Sequence, residues 1–261
     1  MKIISLVNPK GGAGKTVSAV NISYALARKG KKVLLIDSDP RSAIEIYLNV
    51  ENDNTLYELI KNNYNFSDVI LNDYITTKNG VDVIISSPAL TTIDNYFLVE
   101  CKNNQAIFYC IKELVHLFEE YDYVIFDTEG TMNNINTAIL NITDYIFIPT
   151  KSSEIDLNGI PEIINSYENI KKINRKIEIK KVFLVDINER TKSFKEAKED
   201  INVFLKNKNL ALEDVHIRQD QNIINAMKKN LDIFSFLNSS NSAIDYRNLV
   251  DDFLQSESED K

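Results

Sequence analysis

The segment Lys10-Gly11-Gly12-Ala13-Gly14-Lys15-Thr16 stands between a short β-rich run, Lys2 to Val7, and residues Val17, Val20, Tyr24 and Ala27, which repeat at helical spacing. Strand, glycine loop and helix in that order form an anion cradle. Three glycines let the backbone wrap tightly, so that successive amide N–H groups and the helix N-terminus face a bound phosphate. Lys15 adds a positive charge suited to the outer phosphates of a nucleotide, and the Thr16 hydroxyl suits magnesium, a hard cation that keeps most of its waters.

Working outward, Gly30 closes the helix, and the continuous apolar run Lys32 to Asp37 reads as a strand buried on both faces. The same grammar returns at Tyr121–Asp127, Asp144–Pro149 and Lys181–Asp186, with Val81–Ser86 as a further candidate. Alternating buried strands and helices imply an α/β fold, a mostly parallel twisted sheet with helices on both faces and ligands at the carboxyl ends of the strands. Asp37 and Asp127 fall at such ends. Val50 to Asn79, richer in Asn and Asp and less periodic, reads as a loop-bearing excursion. The final helix places Tyr246, Leu249, Val250, Phe253 and Leu254 on one face, and an acidic disordered tail is expected over 256–261. Without a linker or repeat, residues 1–255 are expected to form a single domain.

Composition narrows the function classes. Hydrophobic residues at 44% and charged residues at 26% are the balance of a globular protein. No run approaches a membrane span, and the N-terminal apolar stretch is too short for a signal peptide, so a cytoplasmic location is expected. Cys101 and Cys110 would lie on opposite faces of a shared helix, and His116 and His216 stand apart from both; neither a disulfide nor a cysteine or histidine metal centre is expected. A net charge of -8 argues against wholesale coating of nucleic acid. Any such contact must come from a local patch.

With the loop and strand-end aspartates placed, the chain resembles the ParA/MinD family of positioning ATPases, above all partition proteins without an N-terminal DNA-reading domain. Its second lysine, Lys10, carries the most specific part of the likeness. The resemblance implies a three-layer P-loop NTPase fold, ATP and Mg2+ as cofactors, and a cofactor-binding loop made of Lys10, Gly11, Gly12, Ala13, Gly14, Lys15, Thr16 and Val17. It implies catalytic roles for Lys10, Lys15 and Asp39, with Lys10 reaching the partner subunit's nucleotide in an ATP-bound homodimer. Asp37-Ser38-Asp39-Pro40 is similar to the family switch, which gives Asp37 to the magnesium water shell and Asp39 to the attacking water. Asp127 takes the Walker B position, so Thr16, Asp37 and Asp127 form the expected metal set, the aspartates through water. Ile148-Pro149-Thr150, with Leu157 and Gly159, resembles a segment near the dimer interface.

The chain also departs from the family pattern. Arg41 replaces a usual Gln, Val17 replaces a common second Thr, and Asp127-Thr128-Glu129-Gly130 replaces a proline-bearing or Ala-Gly sequence. Glu129 either adds charge near the metal or points to solvent. Residues 170–200 carry ten basic and six acidic side chains, +4 in an acidic protein, and Arg190, Lys192 and Lys195 are the DNA-binding candidates that the resemblance favours over an ordinary solvated face. In the following helix Phe194, Ala197, Ile201, Phe204 and Leu205 are expected to be buried. Arg218 lies in a segment unlike the family's. Asp245, Asp251 and Asp252, read as the polar side of the last helix, argue against membrane attachment.

The implied activity is ATP-dependent DNA partition, with nonspecific, nucleoid-associated DNA binding and hydrolysis stimulated by a ParB-like partner. The alternative is a relative that positions a protein cargo.

Overall fold

The computed structural model describes residues 1–64, 69–100, 102–103, 105–152 and 159–259, with the side chain of Ser193 excepted. Cys101, Leu157 and the last two tail residues lie outside them. The strands are β1 (Lys2–Leu6), β2 (Val33–Asp37), β3 (Thr76–Lys78), β4 (Val81–Ile84), β5 (Tyr123–Asp127), β6 (Tyr145–Thr150), β7 (Glu178–Ile187) and β8 (Ile217–Arg218). They form one eight-stranded sheet in the order β3-β4-β2-β5-β1-β6-β7-β8. All neighbours run parallel except the edge pair β3–β4.

Continuous apolar runs make the central strands buried on both sides. Ile4, Leu35 and Ile125 face one core, and Ile3, Leu34, Ile36, Val124 and Phe126 face the other. Helices α1 (Lys15–Arg28), α2 (Ala43–Leu48), α3 (Leu56–Tyr64), α4 (Ile93–Glu100), α5 (Ala106–Leu114), α6 (Asn134–Ile142), α7 (Ile160–Lys171), α8 (Lys192–Lys206), α9 (Gln221–Met227), α10 (Ile233–Leu237) and α11 (Asn241–Glu259) cover these faces. Helices α1 and α11 close the first core; α3, α5 and α6 close the second. The three-layer α/β expectation is met, and phosphate loop and strand-end carboxylates share one rim of the sheet.

Several details differ from the sequence reading. Residues 50–79 contain α3, a 3-10 turn over Leu71–Tyr74 and edge strand β3, because Leu56, Leu59 and Ile60 recur at helical spacing and are buried. The expected tail is helical through Glu259, and Glu257 is buried where it accepts a hydrogen bond from Tyr123. Asp245 is not a solvated residue of the polar face either. It is buried and accepts hydrogen bonds from Arg218, at 3.1 and 2.7 Å to Oδ1 and at 3.0 and 2.9 Å to Oδ2, the last from the backbone N–H. That pair fastens α11 to β8.

Tyr123→Phe should cost about 1–2 kcal/mol, since it leaves a buried carboxylate without its charge-assisted donor. A urea midpoint unchanged from wild type would show that the Tyr123–Glu257 contact carries no stability.

Candidate functional site

Strand β1 delivers the chain to Asn8, the residue that organises the loop. Its Nδ2 donates to the Pro149 carbonyl (2.8 Å), its Oδ1 accepts the Lys10 N–H (2.9 Å), and its carbonyl accepts from Lys15 Nζ (2.8 Å). Asn8 thereby ties the loop to the end of β6. Sequence reasoning passed over it, although an amide at the end of a buried strand just before Pro9 is a suitable residue for fixing a turn.

Gly14 sits at φ +88°, and a Cβ there would lie 2.9 Å from Val185 Cγ2. A side chain at Gly130 would come 2.6 Å from the Pro9 carbonyl oxygen, so the chain after β5 runs directly against the loop. Helix α1 starts at Lys15 with no side-chain cap, which leaves its first-turn amides without intrahelical acceptors and the loop rim suited to an anion.

The side chains named from the sequence converge here. Lys15 is buried and its amine is pulled below the usual lysine range, chiefly by that burial, while the charge of Asp127 works against the shift. The Thr16 hydroxyl donates to Asp127 Oδ2 at 2.6 Å, and Asp127 Oδ1 is buried with no hydrogen-bond partner among the described residues. Asp37 and Asp127 are register partners on β2 and β5. Burial raises both carboxyls, Asp127 to about 7 and Asp37 well above the carboxylate range, the latter helped by the Asp127 charge. Asp37 accepts the Asp39 N–H (2.9 Å) and the Ile44 N–H (3.0 Å), so it also shapes the turn into α2. Ser38 fastens that turn to β5, its N–H and Oγ both donating to the Asp127 carbonyl.

Lys10 is half-buried at the loop edge, and no described carboxylate pairs with its ammonium. Glu129 is half-buried, accepts from Asn133 Nδ2 at 2.9 Å, and exerts its field on Lys15 and Arg41. Beside the loop opens a cleft of about 710 Å³, whose lining includes Gly12, Val17, Asp186, Gln219 and Ile224. Val17, at the threonine position of the family pattern, thus offers an apolar wall.

The DNA candidates lie apart from this cluster but on the same rim, in and after the loop that leaves the C-terminal end of β7. Arg190, Lys192 and Lys195 are exposed, and Lys192 pairs with Glu196 at 3.1 Å. The buried face of α8 is the expected one: Phe194, Ala197, Ile201 and Leu205 are buried, and Phe204 packs partly against them. The basic segment, however, is not one continuous patch. Lys181 is buried, paired with Asp252 and with Glu213 at 3.0 Å, while Lys198 pairs with Asp214 at 3.6 Å.

A glycine loop between the central strand and a buried helix, with carboxylates at the ends of the neighbouring strand β5 and of β2 beyond it, defines an α/β protein of the phosphate-loop class. The AAA_31 family model, described as an AAA domain, matches residues 1–180, and the chain belongs to that family, here in its ParA/MinD-type P-loop ATPase form. An uncharacterised protein of Mycobacterium tuberculosis is 28% identical over 200 residues; the match covers 75% of this chain and only 61% of that protein's length. The chromosome partitioning protein ParA of Caulobacter vibrioides is 24% identical over 208 residues, covering 77% of this chain and 75% of the relative. A structure of a Cyanothece McdA variant in complex with ATP superposes with a TM-score of 0.81 at 22% identity, covering 98% of this chain and 96% of that one. The family's members are P-loop ATPases. No helix among the described residues is long and apolar enough to cross a membrane.

Proposed function

We propose that the chain is an ATP-dependent DNA partition ATPase. ATP binding closes a sandwich dimer, the dimer binds DNA nonspecifically, and a ParB-like partner stimulates hydrolysis to reset it. The observation that carries this reading is the meeting of Lys15, Thr16 and the partnerless Asp127 Oδ1 at an uncapped helix N-terminus. The Caulobacter relative is itself a chromosome partitioning protein, which supports the choice of cargo.

The loop amides of residues 11–16 and Lys15 hold the phosphates, and the adjoining cleft takes the nucleoside. Magnesium suits the donor set, a hydroxyl on Thr16 and an unpaired buried carboxylate oxygen on Asp127, and when bound it neutralises phosphate charge. Asp37, whose two oxygens accept the Asp39 and Ile44 N–H groups, would act through water. Lys15 leaves the Asn8 carbonyl for the outer phosphates. Asp39 orients a water whose oxygen attacks the terminal phosphorus as the bond to the ADP oxygen breaks, giving ADP, phosphate and a released proton. Lys10 contributes from the partner subunit, where charge builds on the transferring group.

Purified protein should retard DNA at low salt with ATP and not with ADP. Arg190→Ala with Lys195→Ala should weaken that binding about tenfold and flatten its salt dependence, as loss of phosphate contacts requires. A protein that binds ATP yet shifts no DNA sinks the partition reading.

The second reading is a ParA-like ATPase that positions a protein cargo. The ion pairs of Lys181 and Lys198 with Glu213, Asp252 and Asp214, acids outside residues 170–200, favour it, because they leave less basic surface for phosphates than the +4 count suggests.

A further inference from the structure

The carboxylate assigned to the attacking water is already engaged on both oxygens. Asp39 Oδ1 accepts from the Arg41 backbone N–H (3.0 Å) and from Arg41 Nε (3.0 Å), and Oδ2 accepts from Nη2 (2.6 Å) and Nε (3.2 Å). An ionised carboxylate offers about four lone-pair sites, and Arg41 alone engages both oxygens with three N–H groups, its Nε–H shared between the two. Such a carboxylate neither orients a water nor takes its proton.

We propose that Arg41 is a latch on Asp39, a positioning residue that keeps resting hydrolysis slow because the ion pair must open before each turnover. The proposal rests on the ATPase reading above and specifies how that site is regulated.

Three observations make this a latch and not merely a structural pair. First, the partners differ in freedom: the Arg41 side chain is 69% exposed and the Asp39 side chain only 8%. The guanidinium has solvent to swing into, while the carboxylate stays at the site. Second, the fork-to-fork geometry gives the closed form a definite, charge-assisted hold. Third, nothing but Arg41 itself fills Asp39's side-chain oxygens among the described contacts, so opening one side chain frees Oδ2 entirely and leaves only the backbone N–H on Oδ1.

The test separates turnover from binding. Arg41→Gln should raise phosphate release at saturating ATP on the order of tenfold, the size of a charge-assisted pair that no longer has to break. ATP affinity should stay within about threefold of wild type, since the loop amides and Lys15 hold the phosphates. Arg41→Lys, which keeps the charge but loses the fork, should fall between the two. Turnover of Arg41→Gln at or below wild type, with ATP affinity retained, overturns the latch and makes Arg41 a helper of the reaction.

A nucleotide-free readout keeps the latch separable from the ATPase reading. In wild type the Arg41 Nε–Hε NMR signal should be protected from solvent exchange, and Asp39→Asn should remove that protection. Equal exchange in both proteins refutes the latch even if ATP is hydrolysed. Wild-type protein that binds no ATP by calorimetry refutes the ATPase reading, and the Nε signal then still decides whether the pair holds in solution.

Discussion

Replacing Lys10 by alanine is expected to abolish ATP-dependent dimerisation and to lower turnover about 10²–10³-fold, the usual loss when one preorganised charge is withdrawn from a developing anion. The half-buried Lys10 sits at the loop edge, and its own subunit's described carboxylates do not pair with it. Its backbone is held by Asn8, and its carbonyl lies 3.5 Å from Lys15 Nζ. Two faces that each carry a bound nucleotide repel, by about 4 kcal/mol for each pair of unit charges 4 Å apart at an effective dielectric of 20. A lysine donated across the interface turns that repulsion into attraction. ATP binding by the monomer should survive in Lys10→Ala, because Lys15 and the loop amides are untouched. Light scattering with and without ATP, beside phosphate release, checks both halves. A Lys10→Ala protein that still doubles its mass with ATP would remove Lys10 from the interface.

What the sequence disclosed about this site, and what it did not, follows the range of the interactions. The loop and the strands ending at Asp37 and Asp127 were readable because each is local: glycine spacing, unbroken apolar runs and a charge at the strand end lie within a few residues of one another. The parallel sheet followed from alternation alone, and pairing then brought Asp37 opposite Asp127. Interactions that reach across the chain were not readable. The approach of Gly130 to the Pro9 carbonyl joins residues more than a hundred apart. Lys181 counted as surface charge until β7 carried it under α11, where it meets Asp252. Glu257 fell in a composition that reads as solvated tail, and only the partner hydroxyl of Tyr123 explains its burial. Arg41 stood out as a departure from a pattern; that it engages both oxygens of Asp39 required coordinates.

The second large effect concerns pH and the nucleotide-free protein. Asp127 is buried against Asp37 on the neighbouring strand, and one of its oxygens has no described partner. Burial pushes its carboxyl up to about 7, with the Thr16 hydroxyl and the Lys15 charge opposing the rise. In the unfolded chain the same group titrates near 3.9. Between those values the folded state holds a proton that the unfolded state has lost, so stability falls as pH rises through the window. The contribution is fully present below about pH 4 and gone above about pH 7. Three units at 1.36 kcal/mol each set its size at about 4 kcal/mol. Urea unfolding in EDTA, without nucleotide, should therefore show wild type losing stability from pH 5 to pH 8 more steeply than Asp127→Asn. The asparagine keeps an oxygen for Thr16 but has no charge to bury, and it also relieves Asp37, whose carboxyl is raised in part by Asp127. At pH 8 the variant should be the more stable protein and the inactive one. Magnesium and ATP should narrow the gap by favouring the ionised carboxylate. A wild-type-minus-variant difference that stays flat from pH 5 to pH 8 would mean that Asp127 is ionised throughout, and the cost assigned to burying its charge would have no basis. If the difference slopes as expected, the Asp127 carboxylate carries a cost in the nucleotide-free protein that the magnesium role proposed for it would offset.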